Sequence, residues 1–177
     1  ALTPGTVHWP EEYGDTDRYL IYGKDDVGRR INIVIVPDGY TYAQKATMLS
    51  HAQSLVNYFR NKTPYKEHDP FINYILVYAY STESGTDQCD CSIVKDTAMN
   101  TRFPLQTAVC GHSDNRCLYY GTGNGGPNCD PNVSQTNIAS AELRAPARDT
   151  TLVMVNTTRY GGCGGYRAVY SAGNSSA

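Results

Sequence analysis

The chain is short of the features that usually announce a function. An excess of one charge is missing, since 15 basic and 17 acidic residues leave a net charge of −2. That balance offers nucleic acid and anionic lipid no electrostatic hold, so neither is expected as a partner. No run approaches the roughly 18 apolar residues of a membrane helix, and no membrane partner is expected. There is no Gly-x-Ser-x-Gly turn for a serine esterase and no His-Glu-x-x-His helix for a zinc site. The glycine-rich GTGNGG at 121–126 follows no expected strand and lacks the lysine of a phosphate loop, so it reads as a loop bounded by disulfides. The opening ALTPGTVHWPEE has neither an initiator Met nor a basic-then-apolar leader. It is expected to be a mature N-terminus left after processing, or an artificial boundary. Phenylalanine and tryptophan are scarce, at three and one.

Tyrosine is abundant instead, at 15 residues, beside 16 glycines. A tyrosine packs its ring and keeps its hydroxyl wet, which suits shallow cores and binding surfaces. The six cysteines, Cys89, Cys91, Cys110, Cys117, Cys129 and Cys163, all lie in the loop-rich second half. An even number in such sequence points to disulfides made in an oxidising compartment, and hence to a secreted, extracellular protein. A thiolate zinc site over Cys89, Cys91, Cys110 and His112 is the competing reading, and the Cys-x-Cys spacing is tight for it. Six cysteines allow about 15 pairings, and the sequence does not choose among them. Asn-x-Ser/Thr acceptor sites occur at Asn61, Asn132, Asn156 and Asn174, the pattern of a glycoprotein.

The residues up to 29 are expected to form an N-terminal arm with a surface strand near Arg18–Tyr22, and residues 30–177 one α/β domain. INIVIV after Arg30 is a β-branched run suited to a strand buried on both faces. Ala43, Ala46, Leu49, Ala52, Leu55, Val56 and Phe59 recur at three and four, which predicts an amphipathic helix with Thr41 as its cap. FINYILVYAY supplies a second buried strand, and 81–133 a long, cysteine-bearing loop region that is functional, stapled or both. A shorter helix is expected from Ser134, then a third strand at 151–155 and a fourth at 167–171. The fold class is α/β: a mixed, mostly parallel twisted sheet with packed helices. The last strand is expected antiparallel at the sheet edge, reached directly or after an excursion of the chain. There it would leave backbone groups free for an extended peptide. The glycines of YGGCGG would let the chain turn and let another backbone come close.

Glu83, Asp87, Asp90 and Asp96 crowd the loop after the second strand, where open α/β sheets place ligands. Calcium could be held there; a solvated acidic loop is the plainer expectation. His8, His51, His68 and His112 are scattered, and His51 belongs to the amphipathic helix. No general base, nucleophile or metal cluster is evident.

VIVPDGYT at 34–41, the helix followed by PY, FINYILVYAYSTESGTD at 71–87 and NTTRYGGCGG at 156–165 occur in this order. Together they resemble the N-terminal half of the catalytic domain of the IgA-peptidase family of secreted zinc metallopeptidases, over residues 30–172. The resemblance implies a metzincin-like upper subdomain above a peptide cleft, and an endopeptidase acting on peptide or protein substrates. Its substrate-binding residues would be Arg159, Tyr160, Gly161, Gly162, Gly165, Arg167 and Val169. It implies zinc as cofactor, with ligands and general base on a helix outside this chain, so no catalytic or metal-binding residue is assigned here. The remaining half of the catalytic domain then becomes a partner. The alternatives are a secreted binding or structural module, self-assembling or not, that kept the fold without the zinc site, and an unrelated disulfide-stapled ligand binder.

Overall fold

A computed structural model describes residues 5–24, 26–104, 116–120, 134–145 and 147–173. The chain begins with β1 (Val7–His8) and β2 (Arg18–Tyr22), followed by β3 (Ile31–Asp38). A turn of 3-10 helix at Tyr42–Gln44 leads into α1 (Lys45–Arg60). Thr41 caps it: the Gln44 side chain reaches back to the Thr41 N–H at 3.1 Å, the reciprocal arrangement of a capping box. Next come α2 (Tyr65–His68), β4 (Ile72–Val77), β5 (Tyr80–Ser81), β6 (Asp87–Gln88) and β7 (Arg102–Phe103). The chain closes with α3 (Ser134–Glu142), β8 (Thr150–Val155), β9 (Gly162–Cys163) and β10 (Arg167–Ser171).

The described residues build a six-stranded sheet in the order β2-β4-β3-β8-β10-β9. It is mixed. β3 lies parallel to both β4 and β8, and β8 parallel to β10, whereas β2 and β9 join antiparallel at opposite edges. The N-terminal Arg18–Tyr22 is therefore part of the main sheet, while β1 pairs with β5.

β3 is buried from its second residue onward because both sheet faces are covered. Ile33, Ile35, Tyr74, Leu76 and Met154 pack beneath α1, which contributes Met48, Ala52 and Val56. Val34, Val36, Ile75, Val77, Val153 and Val169 face α3, Ala98, Met99, Phe103 and Leu118. The buried stripe of α1 starts at Met48; Ala43 and Ala46, expected on it, are exposed.

One expectation is corrected. Arg167–Ser171 is neither antiparallel nor the edge: it runs parallel to β8 from Arg167↔Thr151 to Ser171↔Val155, and β9 lies outside it. A parallel return requires the chain to travel back the length of a strand. The 156–166 excursion does so without a helix, because an extended chain covers about 3.3 Å per residue.

Candidate functional site

The carboxyl ends of β3 and β8 converge on a buried acid. Asp38 accepts hydrogen bonds from the Met99 N–H at 2.8 Å and the Thr101 N–H at 2.9 Å, and from both threonine hydroxyls, Thr97 and Thr101. Burial raises its pKa against the pull of these donors. Next to it, Asp87 is pushed up to about 7 by burial, with the Asp38 charge adding to the effect, and Asp87 Oδ2 has no hydrogen-bond partner among the described residues. Gly39 follows at φ 74°, and a Cβ there would collide with the Gly85 carbonyl, so the crossing of these two loops demands glycine.

From β8 the chain passes Asn156, whose side-chain amide donates to the Gly39 carbonyl at 2.8 Å and to Ser84 Oγ at 3.2 Å. Arg159 then grips Asp90 with two parallel bonds of 2.9 and 2.8 Å, its guanidinium 4.1 Å from the centre of the Phe103 ring. At Gly161 a Cβ would strike that ring and the Arg116 carbonyl. The Gly161 carbonyl accepts from the Ser171 N–H at 3.0 Å, and the Gly162 N–H donates to the Arg116 carbonyl at 2.8 Å. Cys163 is joined to Cys117 by a disulfide.

Beside this segment, on the α1 face, lies a groove of about 720 Å³. α1 covers the middle of the sheet, Met154 of β8 included, and leaves Leu152 of β8 and the near face of β10 beside it. Leu152, Ala168 and Tyr170 thus form a floor, His51, Leu55, Tyr58 and Phe59 one wall, and Tyr160, Gly161, Gly162 and Arg116 the other. The groove is largely apolar with two polar points. Tyr40 bonds His51 Nδ1 at 2.8 Å, and the buried Tyr170 hydroxyl has no partner among the described residues. Burial lowers the His51 pKa and holds Tyr170 well above the usual phenol value, Tyr40 adding to the latter.

Of the seven residues singled out from sequence, Tyr160, Gly161 and Gly162 come together on the groove. Gly165 is exposed beyond β9. Arg167 instead turns to the opposite face, where it binds Glu142 with two bonds of 2.7 Å, and Val169 is buried in the core under α3. Side chains alternate across a strand, so the groove takes Ala168 and Tyr170. Their importance could be found from sequence only by knowing the phase of β10. Arg159 is spent on Asp90.

The acids are not a solvated cluster. Asp87 and the Asp90 carboxylate are buried, Glu83 accepts from the Asp96 N–H at 2.8 Å and pairs with Lys95, and Asp96 accepts from the Thr6 N–H at 2.9 Å. Among the described residues no cysteine is free: Cys89 and Cys91 are also disulfide-bonded. Cys110, Cys129, His112, Asn132, Asn174 and the 121–126 loop lie outside the described residues. Of the other acceptor sites, Asn61 is exposed at the end of α1, and Asn156 is tied down as above.

The model of the IgA peptidase M64 family matches residues 21–176. The chain belongs to the IgA peptidase M64 family. No curated protein matches it. Membership makes it a hydrolase-family chain, with peptides or proteins as the substrates the family implies, and the M64 family is in general zinc-dependent. The described part of this M64 chain does not fit that metal: no group of three or more His, Cys, Asp or Glu is placed to hold an ion. No helix among the described residues is long and apolar enough to cross a membrane.

Proposed function

We propose that this chain is the N-terminal, sheet-bearing portion of a secreted zinc-dependent endopeptidase, a metzincin-like upper subdomain. It supplies the scaffold and the rim along which a peptide lies, while the zinc ligands reside on the remaining half of the catalytic domain. The observation that carries this reading is the groove that the described residues leave uncovered: an apolar sheet face beside α1, with a desolvated hydroxyl that has no partner among those residues in its floor. Such a surface is unfavourable in water and calls for a covering element. The remaining half of the catalytic domain is that element. Tyr160, Gly161 and Gly162 edge the groove, and with Gly165 they form the substrate rim. Arg159, Arg167 and Val169 serve by holding that rim in place. The peptide's main chain would lie along β9, beside the Arg116 carbonyl that already takes the Gly162 N–H.

Reconstitution tests the reading. Mixed with the remaining half of the catalytic domain, the chain should form a one-to-one complex that retains zinc and cleaves a peptide. Leu55→Asp in the groove wall should weaken that complex by about 100-fold, the scale of burying an unpaired charge, while leaving the chain's circular dichroism unchanged. A complex indifferent to Leu55→Asp, or one that holds no zinc and cleaves nothing, would favour the non-catalytic secreted module instead.

A further inference from the structure

Two separate ties hold the 156–165 segment to the cysteine-bearing loops. The first is the bidentate Arg159–Asp90 pair. Asp90 is the middle residue of the 3-10 turn Cys89–Cys91, and the cysteines on either side of it are both disulfide-bonded. The position of this carboxylate is therefore set by covalent bonds adjacent to it. The second tie is the Cys117–Cys163 disulfide, with Cys163 inside β9, assisted by the bond from the Gly162 N–H to the Arg116 carbonyl.

Against these, the intrinsic hold of β9 on the sheet is slight. It pairs with β10 at Val169↔Cys163 and Tyr170↔Gly162, with one further backbone bond from Ser171 to Gly161. So short a strand, built of glycine and cysteine, does not secure itself. Its neighbour β10 is different, being bound along its length to β8.

We propose that the rim segment, Tyr160 to Cys163, is a redox-releasable clasp, closed by oxidation and opened by a dithiol. This rests on the peptidase reading, in that the released segment is the rim of the proposed substrate cleft. In opening, one dithiol molecule reduces one disulfide. Its first thiolate attacks a sulfur, the S–S bond breaks to a mixed disulfide, and its second thiol displaces the protein sulfur. The protein gains two electrons and two protons as two thiols, and the reductant leaves as its own disulfide. Neither Cys117 nor Cys163 is fully buried, which admits the attacking thiolate. Further dithiol molecules, one for each disulfide, reduce the bonds at Cys89 and Cys91 and unseat Asp90, so the ionic tie loosens under the same reducing conditions as the covalent one.

Amide hydrogen exchange on the native oxidised chain, with and without dithiothreitol, tests the proposal. On reduction the Gly161, Gly162 and Ser171 amides should exchange faster by about tenfold or more, while those of β3 and β4 keep their protection. In oxidised protein, Asp90→Asn should accelerate exchange at Gly161 and Gly162 by a few-fold with the disulfides intact. Unchanged exchange at all three amides on reduction would overturn the clasp. So would a loss of protection in β3 and β4 together with the rim, which would make the disulfides staples of the whole fold. Neither readout depends on hydrolysis, so the clasp and the peptidase assignment can fail separately.

Discussion

Single residues where the 81–101 loop meets the carboxyl end of β3 sit in costly surroundings. Asp87 carries a pKa of about 7 against an ordinary 3.8. A raised acid pKa means that the folded state binds the proton more tightly than the unfolded state. Between about pH 4 and 7 this residue's contribution therefore falls as pH rises, by a few kcal/mol in all. The carboxylates held low by partners, such as Asp69 beside Arg60 and Asp15 beside Lys45, act in the opposite sense at more acid pH. The expected outcome is that Asp87→Asn is more stable than the natural chain at pH 8 and loses that advantage at pH 4, read by urea unfolding at the two pH values. Gly39→Ala should cost about 3 kcal/mol or more in the same assay, since it combines an unfavourable positive φ with a backbone collision. VIVPDGYT displays Asp38 and Gly39 in the sequence, and Asp87 closes STESGTD. Their burial depends on the 81–101 loop folding back over them, and the acids of that loop gave a solvated appearance because Asp90 and Asp96 find their donors, Arg159 and Thr6, far along the chain.

Among elements, β10 shows most clearly what local pattern reveals and what it hides. RAVYS is legible as a short strand, yet its direction and phase are set by β8 on one side and β9 on the other. The phase sends Arg167 to Glu142, with side chains only 11% and 7% exposed, where Glu142 also accepts from Thr151 at 2.6 Å. Burial opposes ionisation of Glu142, and the arginine overcomes it, holding the carboxyl below its usual range. Arg167→Met would leave Glu142 buried without this partner and should destabilise the chain by about 3 kcal/mol, measured as a shift in the denaturation midpoint. The double variant Arg167→Met with Glu142→Leu should recover most of that loss, because the cost lies in a buried carboxylate left with the looser Arg148 contact at 3.7 Å. Were the two effects simply additive, Arg167 would be acting on something other than Glu142. α1 was more legible than β10. Its cap and period are local, and only the start of its buried stripe, at Met48, awaited the sheet beneath it.

At the scale of the whole molecule, the described residues cover one face of the sheet with α3 and loops and the other only as far as α1 reaches. The reconstitution and exchange experiments both address this asymmetry, one through what fills the groove and the other through what holds its rim. The expected long loop region proves to be the rim's support: Asp90 and Cys117 are its points of attachment.

The sequence alone determined the main strands β2, β3, β4, β8 and β10, the helices α1 and α3, the helix cap, the disulfide bonding of the described cysteines and the family, because each rests on residue types and spacings within a few turns of chain. The tertiary structure decided the direction of β10, the face on which Arg167 and Val169 lie, the burial of Asp38 and Asp87, and the pairing of Arg159 with Asp90, 69 residues away. Contacts of that range are settled when sheet faces close on one another and each polar group must find a partner as water leaves.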